Sequence, residues 1–290
     1  MNISEITGGA GASARLLNFG CGGTYHPDWT NLDASPVSPA VIAHDLKSRF
    51  PFGDGTFDAV YGSHVLEHLE PAAALDVLQD CFRILKPGGI IRIAVPDLES
   101  IARLYVSSLE GALNADQESE KRYEWLMLEL YDQAVRKESG GRMAAYLAEY
   151  GGRRSSRFVA ERIGCEGAQA TAHQVPGFSV PSRAMRRLRS MADSIRRMAV
   201  IACGFVFLGS RGAAAVREGL FRDRGEVHRW MYDRFSLARA LREVGFASIQ
   251  RRLAGESDIP GFSRYELEII NGRERKPDSL YMEGRKPAGA

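Results

Sequence analysis

Residues 15–33 read RLLNFGCGGTYHPDWTNLD, and this stretch decides the fold. Residues 16–19 are a short apolar run, suited to a strand buried on both faces. The run opens into a turn carrying Gly20, Gly22 and Gly23. Glycines there let the backbone approach a ligand closely. A second short run, residues 29–33, ends on an acid, Asp33. Strand, glycine turn and strand with a terminal carboxylate form the nucleotide-binding opening of an α/β sheet. The acid in that position accepts hydrogen bonds from a ribose diol.

Outward from this stretch, residues 41–43 predict a weak third strand that runs into His44, Asp45 and Leu46. PFGDGT, residues 51–56, has strong turn chemistry. Residues 57–62 predict strand 4. Residues 63–68 lead into a helix, continued by apolar residues at helical spacing over 72–85. Lys86-Pro87-Gly88-Gly89 breaks that helix, and residues 90–95 predict strand 5. Strands and helices alternating at this spacing argue for a parallel sheet with right-handed crossovers. Far downstream, FSLARALREVG (235–245) is an amphipathic helix ended by Gly245. Residues 246–253 and 279–285 predict two further strands.

The run LLNFGCGG…NLD…HDL…PFGDGTFDAVYGSHVLEHL…FRILKPGGIIRIAVPD resembles the class I methyltransferases that use S-adenosylmethionine, nearest the type 11 or UbiE-like group. The resemblance covers residues 15–100. It implies a Rossmann-like, doubly wound sheet of seven strands whose last two form a reversed hairpin. Here a large helical insertion follows strand 5. The domains expected are a flexible N-terminus at 1–14, a cofactor-binding core at 15–106 and 226–290, and an inserted lid or substrate domain at 107–225.

The resemblance also implies site residues. Gly20, Cys21 and Gly22 would pass the methionine and ribose portion of S-adenosylmethionine. Asp33 would grip the ribose hydroxyls, and Asp45 the adenine amino group with Leu46 against the ring. Gly62 and Ser63 would lie under the cofactor. Two departures from the family pattern stand out: Asn18 where an acid is usual, and Thr24 where a third glycine is usual. His64, at the mouth of the crevice, is a candidate general base because an imidazole titrates near neutrality. His228 and Tyr232, in the GEVHRWMYD segment (225–233), are candidate substrate contacts, together with Glu226. Asp97 either meets substrate or caps the next helix. Arg275-Lys276-Pro277-Asp278 shows only turn chemistry.

HVLEH (64–68) also matches HxxEH, the zinc motif of one metalloprotease group. A zinc hydrolase using His64, Glu67 and His68 is therefore a remote alternative, set against a directly preceding strand and the methyltransferase resemblance. A protein that binds the cofactor without turnover is a second alternative, supported by Asn18. Methylation of protein or RNA is a third.

Charge separates the insertion from the core. Residues 1–100 carry 6 Lys/Arg against 12 Asp/Glu, whereas residues 101–225 carry 20 against 14. Within the insertion, residues 123–135 and 142–150 predict helices, and residues 151–181 read as a loop. Residues 183–197 are an Arg-rich helix followed by the apolar run 198–208. Eleven apolar residues are too short to span a bilayer, so no transmembrane helix is expected. Three readings of 183–210 remain: a solvated lid face, attraction to an anionic substrate, or peripheral membrane contact. Nucleic acid is disfavoured, because no aromatic-studded basic strand accompanies the charge. Four scattered cysteines without a CxxC pair fit a reducing compartment. With an N-terminus that lacks an apolar signal core, a cytoplasmic location is expected. The acceptor expected is a small molecule or a glycan, methylated on oxygen or nitrogen.

Overall fold

A computed structural model describes residues 14–150, 157–172 and 183–289, with side chains except those of residues 150, 166–172 and 183–194. The main sheet is built from β1 (Leu16–Phe19), β2 (Thr30–Asp33), β3 (Val41–Ala43), β4 (Phe57–Ser63), β5 (Leu85–Pro96), β6 (Ala247–Arg252) and β7 (Ser279–Arg285). Their spatial order is 3-2-1-4-5-7-6. The pairs joining β3, β2, β1, β4 and β5 are parallel, and β7 runs antiparallel to both its neighbours. This is a Rossmann-like, doubly wound sheet with a reversed terminal hairpin, as the resemblance implies. The order reverses at β1 and β4, so the crevice beyond their C-terminal ends is where a ligand binds in such sheets.

The two faces of the sheet are covered differently. Period-two alternation sends Leu17, Phe19, Val60, Ile91 and Ile93 to one side. There they meet helix α1 (Pro71–Ile84) through Val77, Leu78 and Cys81, and helix α7 (Arg234–Val244) through Leu237 and Leu241. Pro71 starts α1 where its missing N–H costs nothing. Asp233 and Ser236 form a capping box on α7, and Gly245 closes it at φ 110°. The opposite face carries Leu16, Ala59, Tyr61 and Ile90. It is covered by Trp29 and by Ile259, Phe262, Tyr265 and Leu267. Only residues 20–29 separate β1 from β2, too few for a crossover helix, so aromatic side chains from the β6–β7 connection fill that layer.

The insertion after β5 is helical. It contains α2 (Leu98–Leu113), α3 (Gln117–Met127), α4 (Gly141–Tyr150), α5 (Arg157–Ala172) and α6 (Arg183–Arg222). Several sequence expectations are corrected here. Residues 63–68 form no α-helix: His64 sits at φ 55°, and Leu66–His68 is a single 3-10 turn. The Lys86–Gly89 turn is absorbed into β5, where the register against β4 shifts from Phe57↔Leu85 to Ala59↔Ile90. The helix at 123–135 is interrupted by a π-helical segment, Leu128–Asp132. Part of the expected loop 151–181 is helix α5, bent at Gly164; residues 151–156 and 173–182 lie outside the described residues. Helix α2 is the helix expected after Asp97, which caps it.

Candidate active site

The geometry begins at the glycine turn. Gly20 adopts φ 62°, and a Cβ there would stand 2.3 Å from Val65 Cγ2. Only glycine lets the turn pack against the start of the HVLEH segment. The Gly22 N–H donates to Asp33 Oδ2 at 2.8 Å, and the Ser35 N–H donates to Asp33 Oδ1 at 2.7 Å. The carboxylate is thus oriented by two backbone amides and keeps further lone pairs for a ligand. Asn18 explains its own departure from the family pattern. Buried beneath the turn, its amide donates to Thr24 O at 2.9 Å and to Asn31 Oδ1 at 3.3 Å. A carboxylate has no proton to offer either oxygen.

A cleft of about 650 Å³ opens here, lined among others by Gly20, Asp33, Asp45, Leu46, Val65 and Leu69. Lys47, His68, Arg222 and Arg229 also reach it. Its size suits a nucleoside-sized ligand. Two carboxylates, an apolar strip and a cationic rim match the ribose, adenine and carboxylate of S-adenosylmethionine, so the residues present fit the group.

Four expected cofactor residues stand outside the cleft lining. Cys21 is buried, and burial followed by the Asp33 charge pushes its thiol up to about 12. Gly22 contributes its N–H to Asp33. Gly62 packs under Phe19, where a Cβ would meet the ring at 2.2 Å. Ser63 Oγ accepts from Arg275 Nη2 at 2.9 Å. Buried Arg275 is a hub that turn chemistry did not reveal. It also donates to Thr24 Oγ1 at 3.1 Å and Leu267 O at 2.9 Å, tying the glycine turn to the β6–β7 connection.

A second, smaller chamber of about 240 Å³ lies between the sheet rim and the insertion. It is lined by His64, Trp125, Glu129, Arg162, His228 and Asp278, among others. The π-helical segment sets its wall. One extra residue per turn directs Glu129 and Asp132 inward, and both are buried. Glu129 takes two hydrogen bonds from Arg162, at 3.0 and 2.6 Å, and one from Trp125 Nε1. Asp132 accepts the N–H groups of Arg142 and Met143 and starts α4. Helix α5 reaches the chamber because Gly164 lies flat on the chain, where a Cβ would stand 2.4 Å from Arg275 O. Burial raises the Asp278 carboxyl to about 6.

His64 lines both cavities. Its backbone N–H donates to Ala94 O at 2.8 Å, which holds the left-handed residue at the end of β4. Nε2 lies 2.8 Å from Ser279 Oγ. Nδ1 lies 3.1 Å from Glu67 Oε1, without hydrogen-bond alignment. Burial, with the nearby Lys276 and Arg275 charges, holds the imidazole well below its ordinary range and therefore neutral. Glu67 is fully buried, and burial pushes its carboxyl up to about 8. Its backbone carbonyl accepts from Arg229 and Trp230, fastening the returning chain to the sheet rim.

The other expected residues divide. His228 lines the chamber, edge-on to His68 at 4.8 Å, and burial lowers its pKa to about 3. Tyr232 lies in the hydrophobic core and lines neither cavity. Glu226 clamps the insertion, accepting from Arg136 at 3.1 Å and Gly140 N–H at 2.8 Å. Asp97 caps α2 through Ser100 N–H and pairs with Arg251. The HxxEH reading needs both histidines on one helix face, and this turn does not provide it. A different trio, Glu67, His68 and His228, brings its ligand-type atoms within 4.8 Å of one another.

Over part of its length the chain is similar to known methyltransferases. A family model described as a methyltransferase domain matches residues 29–93. A Synechocystis protein named as an uncharacterized methyltransferase is 37% identical over 96 residues, 27% of this chain and 45% of the relative. A Mycolicibacterium smegmatis protein named as a probable S-adenosylmethionine-dependent methyltransferase is 29% identical over 103 residues, 30% of this chain and 39% of the relative. The chain spans less than half the length of these curated relatives. Among solved structures, one of the complex formed by the Haloferax volcanii Trm112 methyltransferase activator is 12% identical, with a TM-score of 0.39, and the match covers 95% of this chain and 83% of that one.

Proposed function

We propose that this chain, which carries a class I S-adenosylmethionine-dependent methyltransferase domain, transfers a methyl group to an oxygen or nitrogen of a small-molecule or glycan acceptor. The observation that carries this reading is the position of His64 in the lining of both cavities. A transferase must hold donor and acceptor against each other, and a shared wall is where the two meet.

S-adenosylmethionine supplies an electrophilic methyl group when bound, so the protein's part is mainly to bind and orient. Asp33 is pre-oriented for the ribose hydroxyls. Asp45 and Leu46 suit the base, and Gly20 and Val65 give close backbone approach and an apolar wall. On the acceptor side, the small chamber with Gln133, His228, Lys276 and Asp278 suits a polar, hydroxyl-bearing group. Neutral His64 takes the acceptor's proton. General bases of this kind contribute about 10²–10⁴ in rate. Helices α3 and α5 close the chamber and exclude water.

The test uses labelled S-adenosylmethionine with fractionated extract, followed by calorimetric cofactor binding of His64→Asn. We expect transfer to a small polar fraction. In the variant, kcat should fall at least 100-fold while cofactor affinity stays within threefold. Cofactor binding without transfer to any fraction would instead make the chain a binding protein. Transfer only to protein or RNA would reassign the acceptor.

A further inference from the structure

Helix α6 consists of two helices that meet at a kink. Gly209 stands at φ 66° and ψ −155°, outside helical space. A Cβ on Gly212 would lie 2.3 Å from Gly204 O, and one on Gly204 would lie 2.9 Å from Val216 Cγ2. In a straight helix, residues 204 and 216 stand about 18 Å apart. The chain therefore doubles back at Gly209, and two glycines let the limbs touch. By length and composition alone, Ile195–Arg222 qualifies as a membrane span, against the sequence expectation of none. The reversal divides it into two short limbs.

The tip of this hairpin is apolar and bare. Phe205, Val206, Phe207 and Leu208 are 58%, 76%, 81% and 73% exposed. Met198 and Val200 on the same limb are exposed as well. Four consecutive large apolar residues in water need a partner. Charge identifies it. Arg196, Arg197 and Arg211 are exposed around the apolar zone. The limb leading into it carries Arg183, Arg186, Arg187 and Arg189 in sequence, against the single acid Asp193. A second copy would bring one arginine collar against another. An anionic lipid surface brings phosphates to them.

We propose that this hairpin is a membrane-docking element whose tip enters the outer part of an anionic leaflet while the arginines hold headgroup phosphates. Depth follows from geometry. Arg211 lies two residues past the bend, so full insertion would bury a guanidinium among acyl chains. Entry of about 5–10 Å buries residues 205–208 and leaves Arg211 at the phosphates. The returning limb ends at Arg222, which lines the cofactor cleft. At 1.5 Å per residue from Arg211, docking holds that cleft about 17 Å from the phosphates.

The experiment is flotation of the full chain with vesicles of phosphatidylcholine alone or of phosphatidylcholine mixed with anionic phosphatidylglycerol, whose surface attracts polybasic segments. Binding should be at least tenfold stronger to the anionic vesicles and should weaken at least tenfold in high salt. The Phe207→Asp, Leu208→Asp double variant should lose at least tenfold of the binding, with melting temperature and S-adenosylmethionine affinity unchanged. Both residues face solvent, so folding is not at stake. The Phe207→Trp variant should shift its emission to the blue on binding, and shallow brominated lipid should quench it more than deep. Equal or absent binding to both vesicles, or binding retained by the double variant, overturns the proposal. So does resistance to alkaline carbonate extraction, which indicates a span. A vesicle-independent oligomer abolished by the Asp variant overturns it in favour of a second copy. The cofactor-affinity readout is independent, so a failure here leaves the methyltransferase reading standing.

Discussion

Asp33 and Glu67 are both carboxylates at the crevice, and their surroundings give them opposite tasks. Asp33 is half-exposed, takes two backbone N–H groups and faces the cleft. Asp33→Ala should weaken S-adenosylmethionine binding at least tenfold, about 1.4 kcal/mol; unchanged affinity in calorimetry would remove the ribose assignment. Glu67 is sealed from water, and its pKa rises from the ordinary 4.5 to about 8. A raised pKa means that the folded state keeps the proton longer than the unfolded chain. Its stabilising effect is complete below pH 4.5 and drains away as pH climbs through 8. The wild type should therefore lose stability relative to Glu67→Gln by about 1.4 kcal/mol per pH unit in that window. Urea denaturation at pH 5, 6.5 and 8 measures the difference, and parallel curves would show that Glu67 titrates normally. His68 and His228 oppose this trend at lower pH. Burial depresses both, to about 4 and about 3, so their contribution is present above 6.5 and is lost on acidification.

At the scale of elements, glycine positions decide how strands and turns approach one another. Gly62 lies in β4 beside Phe19 of β1, in register with it. The expected role beneath the cofactor rests on family resemblance, whereas the contact seen is the Phe19 ring, 2.2 Å from where a Cβ would stand. Gly62→Ala should destabilise the protein by about 1–3 kcal/mol through overpacking. The double variant with Phe19→Leu should recover part of that loss, and a thermal melt of the three proteins tests it. Additive losses would place the strain elsewhere. The π-helical segment Leu128–Asp132 belongs to the same scale. The sequence YEWLMLELYDQAV shows an apolar helical face, which is correct in kind. The extra residue that turns Glu129 inward leaves no trace in that pattern, because a single bulge shifts the phase by less than the periodicity resolves.

For the molecule as a whole, Arg92 shows how the last two strands are attached. It stands in β5 among isoleucines and is fully buried. It donates to Glu283 of β7 at 2.9 Å and to the carbonyls of Leu253, Ala254 and Glu256, with Phe262 and Tyr281 over its guanidinium. Glu283 in turn accepts from Ser257 Oγ and Asp258 N–H. One buried pair therefore fastens β5, β7 and the connection that covers the face opposite α1 and α7. Arg92→Ala should cost about 3 kcal/mol, because it strips buried Glu283 of its hydrogen-bonded cation and leaves only Arg252 Nε, 3.5 Å away. Denaturant titration measures the loss, and a change under 1 kcal/mol would show that apolar packing alone holds the hairpin.

Local rules were enough for much of this protein. Apolar runs of three to six residues, a glycine turn and an acid at a strand end mark the first five strands, and Gly245 marks the end of α7. Each depends on neighbours in sequence, so each is legible there. Residues 15–33 likewise show a glycine turn and a carboxylate at the end of the next strand, and the cleft includes Gly20 and Asp33. What needed the folded chain are contacts between distant residues. Arg275 reaches Thr24 and Ser63. Arg162 meets Glu129. His64 stands between two cavities, and α6 turns back on itself at Gly209. A sequence pattern records the period of one element and not which residues another element lays against it. Burial, and with it the neutrality of His64 and the raised pKa of Glu67, is set by that second kind of contact.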